Sequence, residues 1–304
     1  DRVVNIKGFT IAPGFIDLHC HLREPGFEHK ETIKSGTKAA AKGGYTTICC
    51  MPNTNPVIDN INALLELRNI IHRDSLIEVI PIGAITKEQK GKQIIDFQEM
   101  IANGVRLFSD DGYPVWDNSI MLKCLQLSKD KDILLIDHCE DIGLTEGGVI
   151  NQGKIAKNLG LKGISGLSEE LPIIRNIALA EETGARIHIA HISTGKSLRI
   201  IKEAKAKGIN ASCEVTPHHI SLSEDDIIDG DTSFKVNPPL RSKEDVQALQ
   251  NGLREGIIDI IATDHAPHSE TDKPKDFYKA ANGISGIEIA FSLGMILGGI
   301  LMTT

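Results

Sequence analysis

No C-x-x-C pair occurs among the six cysteines, Cys20, Cys49, Cys50, Cys124, Cys139 and Cys213. Most of them lie inside apolar, strand-like runs, where a free thiol behaves as a small hydrophobe. That usage fits a reduced, cytoplasmic compartment better than a disulfide framework. The first ten residues, "DRVVNIKGFT", contain no apolar signal core. No apolar run is long enough to span a bilayer; the most apolar, Ile289 to Met302, is short and carries three glycines. It reads as a buried helix. No long basic run stands out in a chain of net charge −8, which argues against nucleic acid or an anionic membrane as partner. Low-complexity tracts, short repeats and a dividing linker are also missing.

What is present is a large, ordinary globular composition: 304 residues, 41% hydrophobic and 24% charged, enough for a sizeable core. Short apolar runs recur eight times: "GFIDLHCH", "YTTICCMPN", "IEVIPIGAI", "GVRLFSDDG", "ILLIDHCE", "RIHIAHIS", "INASCEVTP" and "IDIIATDHAP". Most are nearly continuous in apolar residues, as parallel strands covered on both faces require. Helix-period segments lie between them: "KETIKSGTKAAAKGG", "NINALLELRNIIHR", "KEQKGKQIIDFQEMIANG", "SIMLKCLQLSKDK", "EELPIIRNIALAEETG", "GKSLRIIKEAKAKG" and "SKEDVQALQNGLREG". The first ends at glycines, a helix stop. Eight strands alternating with helices over roughly 250 residues predict an α/β fold, a (β/α)8 TIM barrel. A doubly wound open sheet fits less well, because polar residues gather at the ends of many strands and not at one switch point. The polar segment from His268 to Gly283 reads as a mobile loop after the last strand.

Barrel enzymes place their sites at the C-terminal ends of the strands. Residues i and i+2 of a strand share a side, so His19 and His21 face together at the end of the first. Strand four ends in Asp110 and Asp111, strand five in His138, strand six in His191, and strand eight in Asp264, His265 and His268. Each alone is weak, since Asp and His cap strands and turns routinely. Among them, four histidines and two aspartates on the ends of five strands that converge on one rim make up one ligand set. Imidazoles plus carboxylates are the ligand set of a catalytic zinc centre with an open position. Six ligands exceed one tetrahedral ion and suit a pair about 3.5–4 Å apart.

These stretches resemble the dihydroorotases of the amidohydrolase superfamily, in the class whose metals are bridged by an aspartate and not by a carboxylated lysine. The resemblance rests on "PGFIDLHCHLREPG", "KETIKSGTKAAAKGGYTTICCMPNTNPV", "FSDDG", "HCED", "HIST", "EVTPHH", "KVNPPLR" and "IATDHAPH", in order along nearly the whole chain. It implies that His19, His21 and Asp264 hold one zinc ion and His138 and His191 the other. Asp111 is the implied bridge, Asp110 a structural neighbour, and Asp264 also the proton shuttle. One or two zinc ions per chain are implied, two being favoured. The resemblance assigns Arg23, Asn53, Asn237, His268, Asn282 and Gly283 to the substrate; Arg23 suits a ring carboxylate through its bidentate fork. The implied reaction is the reversible hydrolysis of L-dihydroorotate to N-carbamoyl-L-aspartate in pyrimidine biosynthesis.

Alternatives are dihydropyrimidinase, hydantoinase or allantoinase, whose neutral substrates leave Arg23 unexplained, and a non-catalytic barrel supporting aspartate transcarbamoylase, which would have lost ligands. A homodimer and association with aspartate transcarbamoylase are expectations from the resemblance alone. Family members flank the barrel with a small β-sandwich. Residues 1–13 read as the remnant of its first part and 14–304 as the barrel, the sandwich itself being largely absent. His29, His72, His188, His218 and His219 have no comparable ligand role, His188 reading as core. "TGKS" at 194–197 ends like a P-loop, but Ala190 stands where its first glycine belongs. The sequon at Asn210 enters a buried strand and reads as chance.

Overall fold

The computed structural model describes residues 5–8, 10–274 and 276–296. Ten strands are β1 (Phe15–Cys20), β2 (Tyr45–Cys50), β3 (Glu78–Pro81), β4 (Leu107–Ser109), β5 (Leu134–Asp137), β6 (Ile150–Asn151), β7 (Gly163–Ile164), β8 (Ile187–Ile189), β9 (Ala211–Val215) and β10 (Ile260–Ile261). The helices are α1 (Ile33–Lys42), α2 (Ile61–Asp74), α3 (Phe97–Ala102), α4 (Asn118–Lys131), α5 (Ile142–Thr145), α6 (Lys154–Leu159), α7 (Leu167–Thr183), α8 (Gly195–Ala206), α9 (Pro217–Ser221), α10 (Lys243–Arg254) and α11 (Ala290–Ile296).

Two all-parallel ladders, β1-β2-β3 and β4-β5-β8-β9-β10, close into one ring of eight strands. At one seam Gly83 bridges Phe108, with Gly83 N donating to Leu107 O at 3.0 Å. At the other, Cys20 bridges His265 and His21 N donates to His265 O at 2.8 Å. Below that seam Asp17, wholly buried, accepts from Thr263 N at 2.9 Å. This is the expected (β/α)8 barrel. Cys49, Met51, Ile82, Ile136 and Ala190, in or directly after strands, pack together as one buried cluster. A larger apolar layer joins strands to helices, for example Ile48, Leu64, Leu67, Ile187 and Ile201. All six cysteines are free and buried, and burial pushes the thiols of Cys49, Cys50, Cys124 and Cys213 up to about 12.

The helices start where the side chains can cap them. Asn60, Asp117, Thr194 and Ser242 each accept a backbone N–H of the first turn of α2, α4, α8 and α10.

Three expectations need correction. The helix-like segment 87–104 is α-helical only over Phe97–Ala102, with a single 3-10 turn at Lys87–Gln89. Its first part, Lys-Glu-Gln-Lys-Gly-Lys, offers no apolar face and turns back on itself. Glu88, Gln89 and Gly91 adopt left-handed φ, and Lys87 N donates to Gln93 O at 2.8 Å. The last apolar run is helical over Ala290–Ile296 but only partly buried: Ala290 is buried, Ile289, Phe291 and Met295 are exposed, and residues 297–302 lie outside the described residues. The segment after β10 packs on the barrel along part of its length. Phe277 and Ala280 are buried, and Lys235 Nζ donates to both of their carbonyls at 2.6 Å. No helix among the described residues is long and apolar enough to cross a membrane.

Candidate metal centre and active site

The C-terminal ends of β1, β4, β5, β8 and β10 bring six side chains to one buried point. Asp111 lies at its middle. Its Oδ1 is 3.3 Å from His19 Nε2, 3.4 Å from His191 Nε2 and 3.6 Å from His138 Nδ1. Its Oδ2 is 3.4 Å from His21 Nε2. Asp264 Oδ1 completes the first group, 3.1 Å from His21 Nε2 and 3.5 Å from His19 Nε2. His138 Nδ1 and His191 Nε2 form the second, 2.9 Å apart.

The far nitrogens are engaged from behind. His19 Nδ1 lies 2.7 Å from Glu214 Oε1, His21 Nδ1 2.9 Å from Asn53 Oδ1, and His138 Nε2 2.9 Å from Glu140 Oε2. Each partner oxygen can only accept, so each of those nitrogens carries the proton. The inward nitrogens therefore present lone pairs, to one another and to two carboxylates. Acceptors facing acceptors at such distances need a cation between them, a proton or a metal ion. His19 Nε2 and Asp111 Oδ1 are also buried without a hydrogen-bond partner. The residues thus fit divalent metal binding through nitrogen and oxygen donors.

Electrostatics agree. Burial alone would raise the carboxyls of Asp111 and Asp264, but the His19 charge and the other imidazoles hold both well below the usual range. Burial alone would depress His138; the hydrogen bonds it donates to Asp111 and Glu140 instead carry it up to about 10. A metal ion bound at that nitrogen would release the proton.

Above the cluster lies a cavity of about 130 Å³, whose wall includes Asp264, Arg23, Asn53, Asn237, Asn282 and Gly283. It shares Arg23 and Asn53 with an outer hollow of about 590 Å³ flanked by Phe27, Lys92, Tyr113 and Trp116. A cavity of about 690 Å³ lined by Phe15, Ile16, Ile260 and Phe291 brings no histidine to its wall and is remote from this chemistry. Arg23 sits in the left-handed region at φ 63°, an unfavourable conformation for arginine that aims it across the rim. Its Nε donates to Pro267 O at 3.2 Å. Among the described residues no carboxylate pairs with it. Burial lowers its pKa, and Asp264 and Asp111 oppose that shift. Gly283 has φ 140°, and a Cβ there would stand 2.4 Å from Ala266 O, so only glycine lets the backbone line the cavity.

Five of the six residues assigned to the substrate thus reach the cavity wall. His268 is set behind, its Nε2 donating to Asn282 O at 2.7 Å and lying 3.3 Å from Arg23 Nη2. Burial and the Arg23 charge push His268 down to about 4, so it is neutral. Asp110 turns away and accepts from Ile85 N at 2.7 Å and Thr86 N at 3.0 Å. His265 meets Glu31 at 3.1 Å, and His219 Nε2 donates to Pro238 O at 2.9 Å. Glu214 and Glu140 are the residues sequence reasoning missed. The available signal was a carboxylate inside the apolar run "ASCEV" and another directly after "HC". His188, read as core, is buried and meets Glu214 Oε2 at 3.1 Å.

Residues 8–197 match a family model described as dihydro-orotase-like. The chain is 50% identical over 291 residues to a protein named dihydroorotase from Thermoanaerobacter sp. (strain X514), covering 96% of this chain and 68% of that protein. The chain belongs to the dihydroorotase family. A dihydroorotase from Staphylococcus epidermidis (strain ATCC 35984) is 48% identical over 292 residues, covering 96% of this chain and 69% of its own length. The chain therefore spans about two thirds of the length of these dihydroorotases. Among solved structures, L-hydantoinase (dihydropyrimidinase) from Arthrobacter aurescens superimposes with a TM-score of 0.83 at 23% identity, covering 93% of this chain and 65% of its own. D-hydantoinase (dihydropyrimidinase) from Thermus sp. gives 0.77 at 25% identity, covering 94% and 66%. The barrel is thus common to dihydroorotases and hydantoinases, and the sequence places this chain with the former.

Proposed function

We propose that the chain is a zinc-dependent dihydroorotase that interconverts L-dihydroorotate and N-carbamoyl-L-aspartate, serving pyrimidine biosynthesis in the cytoplasm. The observation that carries the reading is Arg23, a half-buried cation at the rim of the metal cluster with no carboxylate partner among the described residues. An arginine there is unfavourable unless an anion joins it, and dihydroorotate brings a ring carboxylate. The cavity volume of about 130 Å³ suits a single small ring.

His19, His21 and Asp264 would hold one zinc ion and His138 and His191 the second, with Asp111 between them. Bound zinc would polarise the ring amide carbonyl and acidify the attacking water. Arg23 holds the carboxylate and so orients the carbonyl towards the cluster. The backbone at Asn282 and Gly283 closes the opposite wall. Asp264 takes a proton from the water as the C–O bond forms, then gives it to the ring nitrogen as the C–N bond breaks. The product is an open ureido acid with a second carboxylate. Asn53 and Glu214 keep the imidazoles of His21 and His19 turned towards the site.

Zinc-loaded protein should catalyse ring opening and ring closure alike, and a chelator should abolish both. Folded, metal-loaded protein inert towards both compounds would contradict the proposal.

A further inference from the structure

Three of the four clustered imidazoles have a partner oxygen behind them, and one of the three is turned round. His19, His21 and His191 present Nε2 to Asp111, whereas His138 presents Nδ1. The outward nitrogen of His138, Nε2, faces Glu140 Oε2 at 2.9 Å. The same oxygen accepts from Asn237 Nδ2 at 3.0 Å. Glu140 lines a crevice behind the cluster, together with Pro238 and Arg241, and is not on the wall of the central cavity; His138 and Asn237 are on both. One carboxylate oxygen thus ties a cavity-facing amide to a metal-facing imidazole without facing the cavity itself.

We propose that Glu140 is a positioning residue that fixes His138 in its Nε2–H tautomer, with Nδ1 free for the metal, and anchors Asn237 against the cavity. The inference rests on the metal-centre reading above. A neutral imidazole carries one proton, and an acceptor at one nitrogen decides which. Without that acceptor the proton of His138 is free to move to Nδ1, where it blocks coordination. Asn237 loses its acceptor at the same time and is free to rotate. Loss of such a partner typically lowers metal affinity about 10- to 100-fold.

The variants discriminate geometry from charge. Glu140→Gln keeps an acceptor oxygen at the same reach but removes the charge. Glu140→Asp keeps the charge but withdraws the oxygen by one methylene. Glu140→Ala removes both. Cobalt(II) titration of metal-free protein, followed by the visible absorption of the bound ion, reads affinity and ligand geometry without turnover. Wild-type protein should take up two ions. Glu140→Asp and Glu140→Ala should weaken one of the two about 10- to 100-fold with a changed spectrum, while Glu140→Gln stays within a few-fold of wild type. The Michaelis constant for dihydroorotate should rise in Glu140→Ala, and adding Asn237→Ala should raise it little further, since both act through one contact.

Wild-type affinity and spectrum in Glu140→Asp would overturn the inference, as would weak binding confined to Glu140→Gln, because charge and not reach would then matter. Lower thermal stability with unchanged cobalt binding would also overturn it, by making Glu140 merely structural. Failure of the wild type to bind cobalt at all would instead sink the metal-centre reading, and the inference with it.

Discussion

Asp111 Oδ1 and His19 Nε2 lie 3.3 Å apart, both buried and both without a hydrogen-bond partner. With His191 Nε2 at 3.4 Å and His138 Nδ1 at 3.6 Å from the same oxygen, one carboxylate stands between two groups of ligands. Asp111→Asn keeps the shape but removes the shared anion. It should lower zinc content from two ions towards one or none, measured by elemental analysis after dialysis, with activity falling in parallel.

Asp264 faces the cavity and both histidines of β1. Its proposed proton transfer is separable from its role as a ligand. Asp264→Asn should lower kcat by about 10²–10⁴, the usual worth of a general acid–base group. Zinc content measured on the same sample should stay near wild type, because the amide oxygen can still coordinate.

Arg23 is expected to act on binding more than on chemistry. Arg23→Gln should raise the Michaelis constant for dihydroorotate by about 10- to 100-fold, the loss of one charge-assisted contact of roughly 1.5–3 kcal/mol. Arg23→Lys should recover little of this, since a point charge cannot replace a planar fork. Steady-state kinetics on the two variants would check both statements.

Glu214 is held between two imidazoles, 2.7 Å from His19 Nδ1 and 3.1 Å from His188 Nε2, and also accepts from His191 N at 3.3 Å. Glu214→Ala would leave buried nitrogens unsatisfied, at about 1–3 kcal/mol each. It should therefore lower the melting temperature of metal-free protein and weaken zinc binding. A zinc competition assay should show a loss of about 10- to 100-fold.

Much of this arrangement is legible in the sequence, for physical reasons. Parallel strands buried on both faces leave near-continuous apolar runs, so all eight barrel strands appear as "GFIDLHCH" and its successors. Metal ligands come from few residue types, and the barrel dictates which end of each strand must carry them. That is why His19, His21, the pair Asp110 and Asp111, His138, His191 and the group Asp264, His265 and His268 stand out, while the choice of Asp111 and Asp264 within their groups came from the resemblance to dihydroorotases. What stayed hidden depends on contacts between distant parts of the chain. Glu214 is 195 residues from His19, and nothing local marks one as the other's partner. The β6 and β7 strands have two residues each, too few for any period to register. The turn over Lys87–Gln93 reads as helix because its Lys, Glu and Gln favour helices, whereas Glu88 and Gln89 are in fact left-handed. Composition also predicted burial for the apolar run from Ile289, but burial depends on neighbours: among its described residues Ala290 is buried, whereas Ile289, Phe291 and Met295 are exposed.

The most direct test compares initial ring-opening rates of L-dihydroorotate, dihydrouracil, hydantoin and allantoin on zinc-loaded protein. The account predicts turnover of dihydroorotate and little of the three neutral rings, because only dihydroorotate brings a carboxylate to Arg23. Faster turnover of any neutral ring would contradict it, leaving the metal cluster in place but removing the carboxylate-reading role of Arg23.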